Sequence, residues 1–235
     1  MALGSAQTMG FRLMPNFDSP YFSTSIGEFW RRWHISLSTF FRDYVYVPLG
    51  GSRASRVRLY GNVMVTFVLS GVWHGAQWTF VVWGLLHGLF MLAGHLTAPA
   101  RRRLGGALGR GPVVGGFLRL VAAFATFSLV TVAWVFFRAS TVDDAFSVLF
   151  RAFSGTRGLL GPAGKILGRP ASELYLASAL IAFLCVGEAL SRRVSIERLL
   201  QRLPSPARLL AYAATVLAIL DLGVAGDIPF IYFQF

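Results

Sequence analysis

Charge is scarce in this chain of 235 residues. Only 14% are Asp, Glu, Lys or Arg, where a soluble globular protein carries about 25%. With 55% hydrophobic residues and a mean hydropathy of +0.59, an ordinary water-facing surface is excluded. The apolar excess runs along most of the chain, so a cleaved leader cannot account for it. Acids are scarcer still, ten against 22 bases, and Lys165 is the only lysine; the net charge of +12 is an arginine charge. Cysteine is reduced to Cys185, inside an apolar run. It allows no disulfide within the chain and no cysteine metal centre, and reads as a small buried apolar side chain. No Walker loop, G-x-G-x-x-G or G-x-S-x-G occurs, which removes the P-loop, dinucleotide and soluble serine-hydrolase readings. No two of the four histidines stand four residues apart, and Glu28 and Asp43 offer no third ligand, so no metal site is expected.

What remains is a set of apolar runs separated by arginines. A helix needs about 20 apolar residues to cross a bilayer. Runs that suffice lie at about 61–97, 113–137, 173–190 and 208–223. The composition predicts an all-α, multi-pass helical membrane bundle with interfacial or re-entrant helices. Residues 1–60 read as a loop followed by an amphipathic segment. Ser25 with Glu28 three residues on has capping-box spacing, predicting a helix over residues 26–41 that is too charged to cross. The first apolar run is too long for one span and short for two. Gly71, His74, Gly75 and Gln77 interrupt it, predicting a helix, a break at membrane depth and a second helix. Such a break is tolerated where protein or a water-filled cavity surrounds it. A short amphipathic helix is predicted near residues 142–153. The arginines crowd into loops at 99–112 and 191–208, which the positive-inside rule places in the cytoplasm. The charge is therefore read as topology and membrane-lipid contact, with no nucleic-acid partner.

Ionisable groups at membrane depth are costly and point to function. His74 lies in LSGVWHGAQWTF. Glycines there permit close approach, and Trp73 and Trp78 could wall the imidazole, which suits a general base acting on a hydroxyl. A histidine that merely bonds a neighbouring helix is the open alternative. His34 lies in EFWRRWHISLS; with Arg31, Arg32, Arg42 and Asp43 it marks a basic patch that could hold a phosphate or carboxylate through arginine forks, or simply anchor an interfacial helix. His87, in VVWGLLHGLF, reads as a helix-packing contact, and His95 as interfacial. Intramembrane histidines beside a broken helix also suit a transporter, although the spans carry only Glu188 and Asp221 as acids, near helix ends.

Three segments carry a resemblance: PNFDSPYFSTSIGEFWRRWHISLSTFFRDYVYVPLGGSR, SGVWHGAQWTFVVWGLLHG and the closing PFIYFQF. Together, in this order, they resemble the membrane-bound O-acyltransferase family, in its alginate O-acetylation branch, with the teichoic acid D-alanyl transferases as more distant cousins. The resemblance is dense over residues 1–95, thin from 100 to 225, and returns at the tail. It implies a helical bundle around a tunnel in the bacterial inner membrane. It also implies transfer of an acetyl or other acyl group from a cytoplasmic thioester, acetyl-CoA or another, toward hydroxyls of an exported polysaccharide. No bound cofactor is implied. An extracytoplasmic partner protein that completes the transfer is. The family's catalytic histidine matches His74 and its second histidine His34. Trp33, Arg42, Asp43, Trp73 and His87 match family-like positions, where they could contact substrate. D-alanyl transfer to a wall polymer and a non-catalytic remnant are the alternatives. Family members are longer chains, so these residues are expected to correspond to a C-terminal half.

Overall fold

The structure, a computed structural model, describes residues 2–108, 111–154, 171–191 and 196–222. Every regular element described is helical. In chain order they are α1 (Ala2–Thr8), α2 (Ile26–Arg32), α3 (Ile35–Phe41), α4 (Arg56–His74), α5 (Trp78–Leu108), α6 (Pro112–Arg138), α7 (Val142–Ser154), α8 (Ala171–Ser191), α9 (Ile196–Arg202) and α10 (Ser205–Leu222). Among the described residues, two helices are long and apolar enough to cross a bilayer, over Trp78–Arg101 and Val113–Arg138; Tyr175–Leu190 is a shorter apolar helix. The chain divides into two compact units, Met1–Ser154 and Gly155–Phe235. The first contains all of the candidate site residues; the second contributes α8, α9 and α10.

The frame of the first unit is the hairpin of α4 and α5. The two helices run antiparallel, and glycines let their backbones touch. A Cβ on Gly71 would fall on the Phe80 carbonyl, and one on Gly84 on the Phe67 carbonyl. Gly84 and Gly88 form a small-x-x-x-small pair of the kind that brings membrane helices together. Between them stands His87, carried inward by the face that the glycines open. Helix α6 packs on α5, and α7 on both α5 and α6. Asp143 and Asp144 occupy the first turn of α7 and Arg151 its last, each at the end that complements the helix dipole.

Against this frame lies α2. Its N-cap is Ser25, whose Oγ accepts the Glu28 N–H at 3.2 Å. The reciprocal half of the capping box is displaced by one residue: the Glu28 carboxylate accepts from the N–H and Oγ1 of Thr24. Ile26 and Phe29 of α2 are buried with Val130 of α6. Trp83, Ala133, Phe136 and Ala145 form a second buried cluster, and Trp30, Phe90 and Trp134 pack on both.

Several expectations are corrected. The opening, read as loop, carries α1, the basic loop at 191–208 carries α9, and Cys185, read as buried, is exposed. The helix predicted over 26–41 is two helices, broken at Trp33 and His34, with His34 left-handed at φ 43°. Tertiary bonds fix the break. The Asn16 carbonyl and side chain accept the Ile35 and Ser36 N–H groups, and Asp18 N–H bonds the Arg32 carbonyl. The Arg101–Arg103 segment, expected as a loop, is helical, because α5 continues through Pro99. In the turn before that proline, Thr97 and Arg101 side chains donate to the Ala93 and Gly94 carbonyls at 2.7 Å.

Candidate active site

His74 is the last residue of α4. Gly75 ends the helix with φ 152° and ψ 165°, a conformation that only glycine adopts without strain. The stop leaves the half-buried imidazole at the mouth of the hairpin, inside a ring of aromatics. Trp73 and Phe137 each lie 4.9 Å from it between ring centroids, Trp83 at 5.4 Å and Phe80 at 6.2 Å. Three helices therefore wall one histidine. Trp78, expected as a wall, is instead 76% exposed; five residues further along α5, Trp83 faces inward and meets the imidazole.

His34 occupies the break between α2 and α3, tilted against Phe17. Its Nδ1 is buried without a hydrogen-bond partner. Burial holds its pKa below the ordinary 6.5. The folded protein thus resists a proton that the unfolded chain accepts. Stability from this source is complete above pH 6.5 and falls as the pH drops below it. Melting temperature is expected to decline between pH 7.5 and 5.5, and less steeply in His34→Gln. Equal slopes in the two proteins would assign the acid sensitivity elsewhere. Glu28 acts in a separate window. Burial raises its pKa, but hydrogen bonds from Thr24 and the Arg32 guanidinium outweigh that and leave it below 4.5.

The basic patch does not act as one. Arg32 is held by Glu28 at 2.9 Å and by the Asp18 carbonyl at 3.2 Å. Arg42 is gripped by its neighbour Asp43 through two bonds of 2.7 and 3.2 Å, both residues exposed. That pair sits on a π-helical turn, Arg42–Tyr46. Trp33 stacks on Phe29 at 5.6 Å and meets Trp134 at 5.1 Å, tying α2 to α6. Two adjoining cavities of about 150 and 560 Å³ are lined in common by Trp30, Ser38, Arg42, Tyr46, Thr66 and Phe67. Arg31 and Met91 line the larger. His74 and His34 line neither.

His87 is fully buried. The Trp30 indole N–H donates to its Nδ1 at 3.2 Å, and Trp30 and Trp83 flank it at 5.0 and 4.9 Å. The structure thus gathers His74, His34, Trp73, Trp33 and His87 around one aromatic core and leaves Arg42 lining two cavities, with Asp43 bonded to it outside them. Sequence reading passed over Trp30, Trp83, Trp134 and Phe137. Trp30 and Trp83 lie within the motifs that were read, but Trp134 and Phe137 belong to an apolar run with no chemistry-bearing neighbour to mark them.

The family model for membrane-bound O-acyltransferases matches residues 1–135. The chain belongs to the membrane-bound O-acyltransferase family. Its relatives agree. It is similar to "Probable alginate O-acetylase AlgI" of Azotobacter vinelandii, 41% identical over 79% of this chain and 34% of the relative. It is similar to "Peptidoglycan O-acetyltransferase" of Helicobacter pylori, 39% identical over 74% of this chain and 30% of the relative. "Teichoic acid D-alanyltransferase" of Bacillus subtilis is 35% identical over 38% of this chain and 25% of the relative. The chain spans about a third of the length of the curated relatives it matches. The membrane-bound O-acyltransferase match contains all of the predicted site residues and Trp134, and ends two residues before Phe137.

Proposed function

We propose that this chain carries the transfer histidine of a membrane O-acyltransferase. An acetyl group passes from a cytoplasmic thioester, acetyl-CoA or another, toward hydroxyls of an exported polysaccharide such as alginate. The supporting observation is His74, held at a glycine-terminated helix end inside aromatic walls from α4, α5 and α6. Apolar walls keep an imidazole neutral and able to accept a proton. In the transfer, the acceptor oxygen attacks the thioester carbonyl carbon as His74 takes the hydroxyl proton. The tetrahedral species then collapses, the C–S bond breaks, and the thiolate leaves with a proton from the imidazolium. His34 orients donor or acceptor beside it. The protein sits as a multi-pass component of the bacterial inner membrane, which lets a cytoplasmic donor meet an exported acceptor, and an extracytoplasmic protein can carry the acetyl onward. Acetyl is favoured over D-alanyl because the O-acetylating relatives match over 74–79% of the chain and the D-alanyl transferase over 38%.

The test compares cells lacking the locus with complemented cells. O-acetyl content of the exported polysaccharide is expected to vanish on deletion and return on complementation. Unchanged acetyl content with lost uptake of a labelled solute would replace this reading with a transporter.

A further inference from the structure

Three buried N–H groups in the core around His74 have no hydrogen-bond partner: those of Trp83, Trp134 and His87. The assignment for His87 follows from its other nitrogen. Trp30 donates to Nδ1, so the neutral ring carries its proton on Nε2, and Nε2 is the unpaired atom. The three rings are mutual neighbours. Centroids of His87 and Trp83 lie 4.9 Å apart, Trp83 and Trp134 6.0 Å, and His87 and Trp134 6.5 Å. Trp83 in turn touches His74. Buried donors without partners are rare in folded proteins, and each one calls for an explanation. Three in one triangle, adjoining a candidate base and supplying only donors, point to an oxygen acceptor.

We propose that His87, Trp83 and Trp134 form a donor socket that receives the carbonyl oxygen of the acyl group. This rests on the acyl-transfer reading and adds to it the residues that stabilise the tetrahedral species. As the acceptor oxygen forms its bond to the carbonyl carbon, the carbonyl π pair moves onto oxygen. The N–H groups of the socket hold that negative charge while His74 holds the proton. When the C–S bond breaks, the pair returns to the carbonyl. Donors fixed in a dry site need no reorganisation during the reaction, which is why they are worth more there than in water. The Trp30 bond has a role in this arrangement: it locks the His87 tautomer that presents N–H to the socket.

Trp83→Phe and Trp134→Phe each delete one N–H and keep an aromatic ring. They are made in the protein at its native length, purified from its host membrane, with acetyl-CoA as donor and the host polysaccharide as acceptor. Each is expected to lower kcat by about 10²-fold, the effect of removing one donor to an oxyanion. KM should move little, because the interaction strengthens only as charge develops. Melting temperature reports the fold separately: loss of a buried unpaired donor favours each variant, and the lost ring volume costs it stability. Unchanged kcat in both variants overturns the socket. So does a fall in melting temperature with kcat intact, which would make these groups ligands of a structural water. Wild-type protein without transfer activity would fail the acyl-transfer reading itself; active wild type with fully active Phe variants fails the socket alone.

Discussion

His74→Ala is expected to reduce acetyl transfer by at least about 10²-fold, within the 10²- to 10⁴-fold range that a positioned general base supplies. The geometry sets the size of the effect. His74 ends α4 where Gly75 leaves the helical conformation, and Trp83 and Phe137 confine its ring at 5.4 and 4.9 Å. Neither neighbouring imidazole replaces it: the one acceptor nitrogen of His87, Nδ1, already takes the Trp30 N–H, and His34 stands in the turn between α2 and α3. His74→Gln separates two roles. Glutamine can still hydrogen-bond but cannot take a proton at neutral pH, so its loss should equal that of alanine. The measurement is the acetylation rate of exported polysaccharide at matched membrane protein levels. Retained activity in His74→Gln would make His74 a structural donor, and an unaffected His74→Ala would remove it from the chemistry.

Gly84→Val and Gly71→Val are expected to abolish folded protein. At both positions the atom in the way is a backbone carbonyl of the opposite helix, Phe67 or Phe80, and backbone cannot swing aside. Overpacking costs about 1–3 kcal/mol where side chains can adjust, and more is expected here because α4 and α5 must separate along the hairpin. Separation would also move Trp83 away from His74 and pull His87 from Trp30. Gly88 is a graded case, since a Cβ there meets the Met64 sulfur and methyl, the mobile end of a side chain. Gly61 is the control. It lies in α4 with open space around its missing Cβ, so Gly61→Ala should gain about 0.8–1 kcal/mol of helix propensity. Yield of monodisperse detergent-solubilised protein and its melting temperature report Gly84→Val, Gly71→Val, Gly61→Ala and, as the graded case, Gly88→Ala. Comparable yields of Gly84→Val and wild type would show that the helices are not in backbone contact.

Much of the frame is legible in order of residues alone. Ser25 with Glu28 marks a helix start because a side-chain oxygen must satisfy a bare N–H. Gly71, His74, Gly75 and Gln77 mark a break because they interrupt an apolar run too long for one span. The alternation of Asp143 and Asp144 with Phe146, Leu149 and Phe150 writes an amphipathic helix into α7. Each of these is a local constraint, decided within one or two turns. The closing PFIYFQF, although part of the resemblance, lies outside the described residues.

The tertiary structure decided what local rules leave free. Nothing in WRRWHIS interrupts a helix; the break at His34 exists because the carbonyl and side chain of Asn16, far upstream, accept the N–H groups of Ile35 and Ser36, while Asp18 donates its own N–H to the Arg32 carbonyl. The Arg31, Arg32 and Arg42 cluster looks like one anion site in sequence, but Glu28, Asp18 and Asp43 divide it in space. Trp134 and Phe137 become walls of the site only because α6 packs on α5. Helical periodicity says which residues share a face; it does not say which face meets which, and a site assembled from α2, α4, α5 and α6 is made of those meetings.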